Sequence, residues 1–257
     1  MRDTSSGLDV DVSGSGPDLV LLHGLDGMLF AEPFAKALAE RFTVHVPALP
    51  GWSGPRDPRY RSVDDLAYAV LDAIEAIGRP VHLVGCSIGG WLAAETATKT
   101  CAGLASVTLV APLGVRRAEP TERSYLDLYA SAPAAVTAAM YGPDGTAPDL
   151  SAFSPAQFLR LAEAHEAVAF YAWEPYLHNP ALPGRLHRIT VPVLLVAGAA
   201  DGLILRPDHF DLFAAAVGGP CRTEVIPGAG HRVEEQAPQR LAELITEFAA
   251  PTTAEDN

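Results

Sequence analysis

The chain has 257 residues, 49% of them hydrophobic, with 22 glycines and 22 prolines, a size and make-up that fit one domain of the α/β class. A net charge of −13 without any basic run argues against nucleic acid or an anionic membrane as partner. No stretch approaches the ~20 unbroken apolar residues of a membrane span, and Met1–Ser6 lacks the apolar core of a signal peptide, so a cytoplasmic location is expected.

In chain order, Leu8–Val12 alternates with period two and predicts an edge strand. After the turn Ser13–Pro17, the apolar run Leu19–Leu22 predicts a buried strand ending in His23-Gly24-Leu25-Asp26-Gly27. Pro33–Arg41 reads as a helix, Phe42–Val46 as a strand and Pro47–Arg61 as a loop. Ser62 as N-cap, Asp65 at N3, apolar residues at helical spacing to Ile77 and Gly78 as C-cap mark a second helix. Val81–Val84 and Leu104–Val110 are two more buried strands, with a helix after Ser87 between them. Such alternation means a parallel sheet covered on both faces.

The alternation breaks at Pro112. From Leu113 to about Arg185 the pattern turns helical and aromatic, with candidate helices Glu122–Ala130, Pro133–Tyr141 and Pro155–Trp173, the last capped by Ser154 with Pro155 at N1. Strand and helix then resume: strand Val193–Ala197, helix Asp208–Val217, strand Thr223–Ile226 and helix Ala237–Ala249. Pro251–Asn257 reads as a disordered tail. Residues 113–185 are therefore expected to be a helical insertion over the carboxyl ends of the strands, where open α/β sheets bind ligands. Residues 1–112 and 186–257 form the core.

The most telling segment is Gly85-Cys86-Ser87-Ile88-Gly89-Gly90, between a strand and a helix. G-x-S-x-G at such a turn is the pattern of a nucleophile elbow. By composition alone it would arise in roughly one chain of this length in twelve, so partners must be found. A serine hydroxyl needs a base, and the base an orienting acid, each at the end of a strand from which it can reach Ser87. Asp201 follows the strand Val193–Ala197 and His231 follows Thr223–Ile226, in the order Ser, Asp, His. Asp201 alone could be an ordinary turn aspartate, and seven other histidines compete, but only His231 follows the last strand. The backbone N–H groups of Leu25 and Ile88 are candidate donors to an oxyanion. His23 then reads as a structural histidine. Cys86, Cys101 and Cys221 have neither metal-ligand nor disulfide spacing and read as free thiols, and no metal or cofactor is expected.

These pieces together resemble the α/β-hydrolase superfamily over nearly the whole chain. The matching residues are His23-Gly24, the loop Pro50–Gly54, Gly85–Gly90, the run Leu186–Pro192 leading to Gly198…Asp201, and Gly228–His231. The resemblance implies a mostly parallel, doubly wound sheet of about seven to eight strands with a helical cap. It also implies a Ser87 nucleophile, a His231 base and an Asp201 orienter. Two departures stand out: the first strand of the family is missing or very short, and Cys86 precedes the serine where histidine is commoner.

The insertion carries nine of the chain's 19 aromatics. An apolar pocket would favour a small hydrophobic ester, lactone or thioester, with Gly24, Asp26, Met28, Trp91, Tyr129 and Trp173 as candidate lining. The protein would act as a monomer or homodimer. The lid layout also resembles C–C bond hydrolases of ring-cleavage dicarbonyls, but those relatives usually carry Trp after the histidine, where this chain has Arg232. A non-catalytic ligand-binding or biosynthetic protein on the same fold is the third reading.

Overall fold

The computed structural model describes residues 7–116 and 122–250. Seven strands make one sheet: β1 (Val10–Gly14), β2 (Asp18–Leu22), β3 (Thr43–Pro47), β4 (Val81–Cys86), β5 (Leu104–Val110), β6 (Val193–Gly198) and β7 (Cys221–Ile226). Their spatial order is β1-β3-β2-β4-β5-β6-β7. Only β1 runs antiparallel, pairing Val10 with Pro47 through Gly14 with Thr43. Its side chains beyond Val10 are exposed, as suits an edge strand with one covered residue.

The apolar strands split their side chains between two cores. Val20, Leu22, Leu83, Val193 and Leu195 point into one cluster with the helices α2 (Val63–Ile77) and α3 (Ile88–Lys99). Leu19, Leu21, Val84, Leu194 and Val196 point into the other, with α1 (Glu32–Ala39) and the last helix, Pro238–Ala249. Alternate residues face opposite layers because the strand period is two. This is why the central strands read as unbroken apolar runs. Truncating any such leucine to alanine removes about 2–5 kcal/mol.

Capping chemistry sets helix ends where it was legible. Ser62 accepts a hydrogen bond from the Asp65 N–H at 3.1 Å, and Gly78 closes α2 in the left-handed region at φ 69°. Between β5 and β6 lie α4 (Pro133–Tyr141) and α5 (Pro155–Ala172), and Ser154 with Gln157 forms a capping box on α5. The predicted helix Glu122–Ala130 does not form. Its backbone is committed elsewhere: Leu126 N–H donates to Leu203 O, Leu205 N–H to Ser124 O, and Tyr125 bridges Ile204. Asp127 then turns the chain by accepting from the N–H groups of Tyr129 and Ala130.

Near the C-terminus, the expected helix forms as α8 (Pro238–Ala249), with Pro238 in its first turn, and a short helix α7 (Val233–Gln236) that was not expected precedes it. Helix α6 spans His209–Ala216. The tail Pro251–Asn257 and the segment Met1–Ser6 lie outside the described residues. No helix among the described residues is long and apolar enough to cross a membrane.

Candidate active site

Four strand ends converge at the carboxyl edge of the sheet. β4 delivers Ser87, β6 Asp201, β7 His231 and β2 the loop His23–Gly27. The turn at Ser87 is sharp enough to force the serine to φ 55°, ψ −115°, a conformation costly for any L-residue. Its neighbours explain the glycines. A Cβ on Gly85 would strike the Gly89 carbonyl, and one on Gly89 would strike the carbonyls of Leu22 and His23. The turn is held by Ser87 N–H donating to Val110 O at 2.8 Å.

Ser87 Oγ lies 2.7 Å from His231 Nε2, and His231 Nδ1 lies 2.8 Å from Asp201 Oδ2. With the proton on Nδ1, the imidazole donates to Asp201 and accepts from the serine hydroxyl. The second oxygen of Asp201 accepts from the N–H groups of Leu203 and Ile204, at 2.9 and 3.1 Å, which locks the carboxylate in place. Ser87 and His231 are almost fully buried, at 2% and 1% exposure. Of the other histidines, His209 comes nearest in environment to the site. Burial pushes its pKa down to about 4, and its Nε2 is 2.8 Å from Pro112 O, so it is a neutral packing group. His23 is also buried, which lowers its pKa, and its Nδ1 meets Gly24 O at 3.0 Å while its ring packs on Trp52. Burial raises the Cys86 thiol well above its usual value, leaving it inert beneath the elbow.

The loop after β2 lies against the serine: a Cβ built on Gly24 would sit 3.7 Å from Ser87 Cβ. The Leu25 carbonyl is tied by Trp52 Nε1 at 2.9 Å. Neither the Leu25 nor the Ile88 N–H finds an acceptor among the described residues, so both donors are free where the loop meets the elbow.

Beside them opens a cavity of about 270 Å³. Its walls are Leu25, Asp26 and Phe30 from the β2 side, Arg232, and α4, α5 and their flanks through Leu128, Tyr129, Val136, Met140, Tyr141, Leu161, His165 and Val168. The cavity wall comes up to Arg232, which follows His231, and to Leu25 of the loop that lies against Ser87, rather than to Ser87 and His231 themselves. The last turn of α4 roofs these loops. Its terminal carbonyls, which lack intrahelical partners, accept from Gly202 N–H (at Ala139), Arg232 N–H (at Met140) and Gln236 Nε2 (at Tyr141).

Of the candidate pocket residues, Asp26 and Tyr129 line this cavity and Gly24 abuts Ser87. Three do not reach it. Met28 packs with the α1–α8 core, and Trp91, within α3, is buried and donates to Glu95 Oε1 one turn on at 3.1 Å. Trp173, 54% exposed, borders a different cleft, because α5 ends before it and turns it outward. Composition could not separate these, since which side of a loop or helix faces a cavity depends on the partner element.

The structure adds residues that pattern reading passed over. Arg232 Nη2 is 2.6 Å from Asp26 Oδ2, and Nη1 is 2.6 Å from Glu235 Oε1. Burial pushes the Asp26 carboxyl up, but the Arg232 charge and the nearby His165 more than offset it and hold it below its ordinary value. His165 Nε2 stands 3.4 Å from Asp26 Oδ1, too far for a close hydrogen bond. Glu234 is buried, and burial with its neighbour Glu235 raises its pKa to about 7. The one signal for this cluster in the sequence was a buried-strand loop carrying Arg-Val-Glu-Glu directly after the histidine. Among the described residues no cluster of His, Cys, Asp and Glu is arranged to hold a metal ion.

The model of the alpha/beta hydrolase family matches residues 19–244. The chain belongs to that family. Among its relatives in the alpha/beta hydrolases is the pimeloyl-acyl-carrier-protein methyl ester esterase of Methylococcus capsulatus, 38% identical over 106 residues. The same enzyme of Chromobacterium violaceum is 41% identical over 108 residues. Each of these matches spans 40% of this chain and 40% of the relative. Monoacylglycerol lipase abhd6-B of Xenopus laevis is 23% identical over 95% of this chain and 78% of its own length. Among solved structures, a bacterial membrane phospholipase A superposes with a TM-score of 0.73 at 25% identity, covering 96% of this chain and 84% of that one. A serine hydrolase of carbazole degradation gives 0.72 at 18% identity, over 96% and 97%. At that identity the second likeness speaks for the shared alpha/beta hydrolase fold alone.

Proposed function

We propose that this protein is a serine hydrolase that cleaves small hydrophobic carboxylic esters, lactones or thioesters through an acyl-enzyme. The observation that carries the reading is the hydrogen-bonded chain from Ser87 Oγ to His231 to Asp201, at 2.7 and 2.8 Å. Ser87 attacks the acyl carbon while His231 takes its proton. Asp201 holds the imidazole in the required tautomer and stabilises the imidazolium. The N–H groups of Leu25 and Ile88 receive the developing oxyanion. His231 then returns its proton to the leaving group, and a water attacks the acyl-enzyme by the reverse route. Residues 113–185 serve as a cap, and the largely apolar cavity beneath it takes the hydrocarbon part of the substrate. The partial likeness to esterases and the likeness to a monoacylglycerol lipase over 95% of this chain favour ester over C–C cleavage. Arg232 after the histidine, ion-paired to Asp26, favours it further.

The test is labelling of the folded chain with a fluorophosphonate, followed by peptide mapping, alongside turnover of esters and thioesters of varied acyl length. An adduct on Ser87 with hydrolysis of neutral esters is expected. Folded protein without a Ser87 adduct would sink the assignment. Ligand binding without turnover of any ester would point instead to a binding protein on this fold.

A further inference from the structure

Two carboxylates, Asp26 of the loop after β2 and Glu235 of α7, share one guanidinium. Arg232 pairs with Asp26 and Glu235, both at 2.6 Å, and Tyr141 donates its hydroxyl to Glu235 at 3.0 Å while its ring lies 5.6 Å from the guanidinium carbon. A third carboxylate, Glu234, stands so close to the loop that a Cβ on Gly24 would be 2.8 Å from its Oε1. His165 of α5 completes the surroundings of Asp26. The pair links two chain neighbours of the reacting groups: Asp26 follows Leu25, and Arg232 follows His231.

A buried ion pair of this kind earns little stability, because desolvation cancels most of its attraction. Its electrostatic effect on the adjacent site is larger. An ionised carboxylate next to an oxyanion donor opposes the negative charge that acyl transfer creates there, and in a buried setting that opposition is weakly screened. A guanidinium cannot be discharged near neutral pH, so its charge faces Asp26 at every working pH, while burial pushes the Glu235 carboxyl up toward its uncharged form.

We propose that Arg232 is a positioning residue for acyl transfer: it neutralises Asp26 and ties the Leu25 loop to the His231 loop, so that the oxyanion site is not opposed by a bare carboxylate. This rests on the acyl-transfer reading of Ser87. Because two carboxylates already balance the guanidinium charge, the substrates it favours are neutral near the scissile bond.

The experiment uses the full chain, a neutral p-nitrophenyl ester and an alkyl trifluoromethyl ketone, whose hemiketal adduct with Ser87 carries the oxyanion. Arg232→Gln is expected to lower kcat roughly tenfold to hundredfold with KM little changed, because the lost interaction is realised only in the transition state. Ketone affinity should fall in parallel. The loss should widen as pH rises, as Asp26, freed of its cation but still facing His165, Glu235 and Tyr141, gives up its proton. Adding Asp26→Asn to Arg232→Gln should recover kcat to within about fivefold, as removal of both charges allows. The proposal is overturned if Arg232→Gln stays within about twofold of the parent. A loss that is independent of pH and not rescued by Asn, as a purely structural role would give, also overturns it. Arg232→Lys and the charge-free double variant serve if the single Gln variant does not fold. Lys keeps the cation and should retain ketone affinity within about tenfold, and a larger loss in either overturns the proposal. A parent chain that neither hydrolyses the ester nor forms the ketone adduct removes the acyl-transfer reading itself, an outcome distinct from variants that match an active parent.

Discussion

Ser87 carries both the chemistry proposed for this chain and the strain of the turn that presents it. Its φ of 55° is tolerated because the Val110 carbonyl and the first turn of α3 hold its backbone on both sides. Removing the hydroxyl by Ser87→Ala is expected to cut kcat by ~10⁴ or more while the circular dichroism spectrum is kept. Asp201→Asn should cost a similar factor, about 10⁴, because the amide would favour the wrong tautomer of His231. Steady-state kinetics on one ester checks both. Ser87 and Asp201 were legible because each follows a strand whose apolar run is unmistakable, and His231 because it follows the last strand-like segment, Thr223–Ile226. Arg232 and Glu234 were not legible in the same way. Their burial depends on contacts with Asp26 and the Gly24 loop, which lie far away in sequence.

At the level of elements, the strand–turn–helix unit β4–α3 has no room for added bulk at its glycines. Gly89→Ala would drive a methyl into the Leu22 and His23 carbonyls at the end of β2, backbone atoms that cannot swing aside. Overpacking of this kind costs about 1–3 kcal/mol, and the shift it forces falls on the Ser87 turn. Gly89→Ala should therefore lower the urea midpoint and also reduce fluorophosphonate labelling of whatever protein remains folded. Helices with local signals came out close to their predicted ends: Ser62 and Gly78 bound α2, and Ser154 with Pro155 opens α5. Glu122–Ala130 has helical composition, but pairing of Ser124–Leu126 with Leu203–Leu205 took its backbone instead. Propensity yields wherever a distant strand-like segment offers better hydrogen bonds.

Over the whole molecule, stability should depend on pH through buried groups and not through the surface charge. Glu234 is raised to about 7, by burial first and by Glu235 second, so the folded state keeps a proton that the unfolded chain releases near 4.5. Stability from this group is full below about pH 4.5, declines as pH rises toward 7 and is level beyond. His209, lowered to about 4 by burial, acts in the other direction: its contribution is present above the unfolded value of 6.5 and is lost as pH falls toward 4. Thermal unfolding of Glu234→Gln should show a melting temperature a few degrees above the parent at about pH 8 and no gain near pH 4.5. A gain equal at both pH values would contradict the assigned burial effect. The amino-acid sequence alone determined the order of strands and helices and the residues that end up at the strand tips, because those follow from local periodicity, caps and turn chemistry. The tertiary structure decided the rest: which loop side chains turn toward the cavity, that Trp91 and Trp173 turn away from it, and that Asp26 meets Arg232. Those outcomes depend on packing between segments two hundred residues apart, and no local pattern encodes the partner a side chain will find.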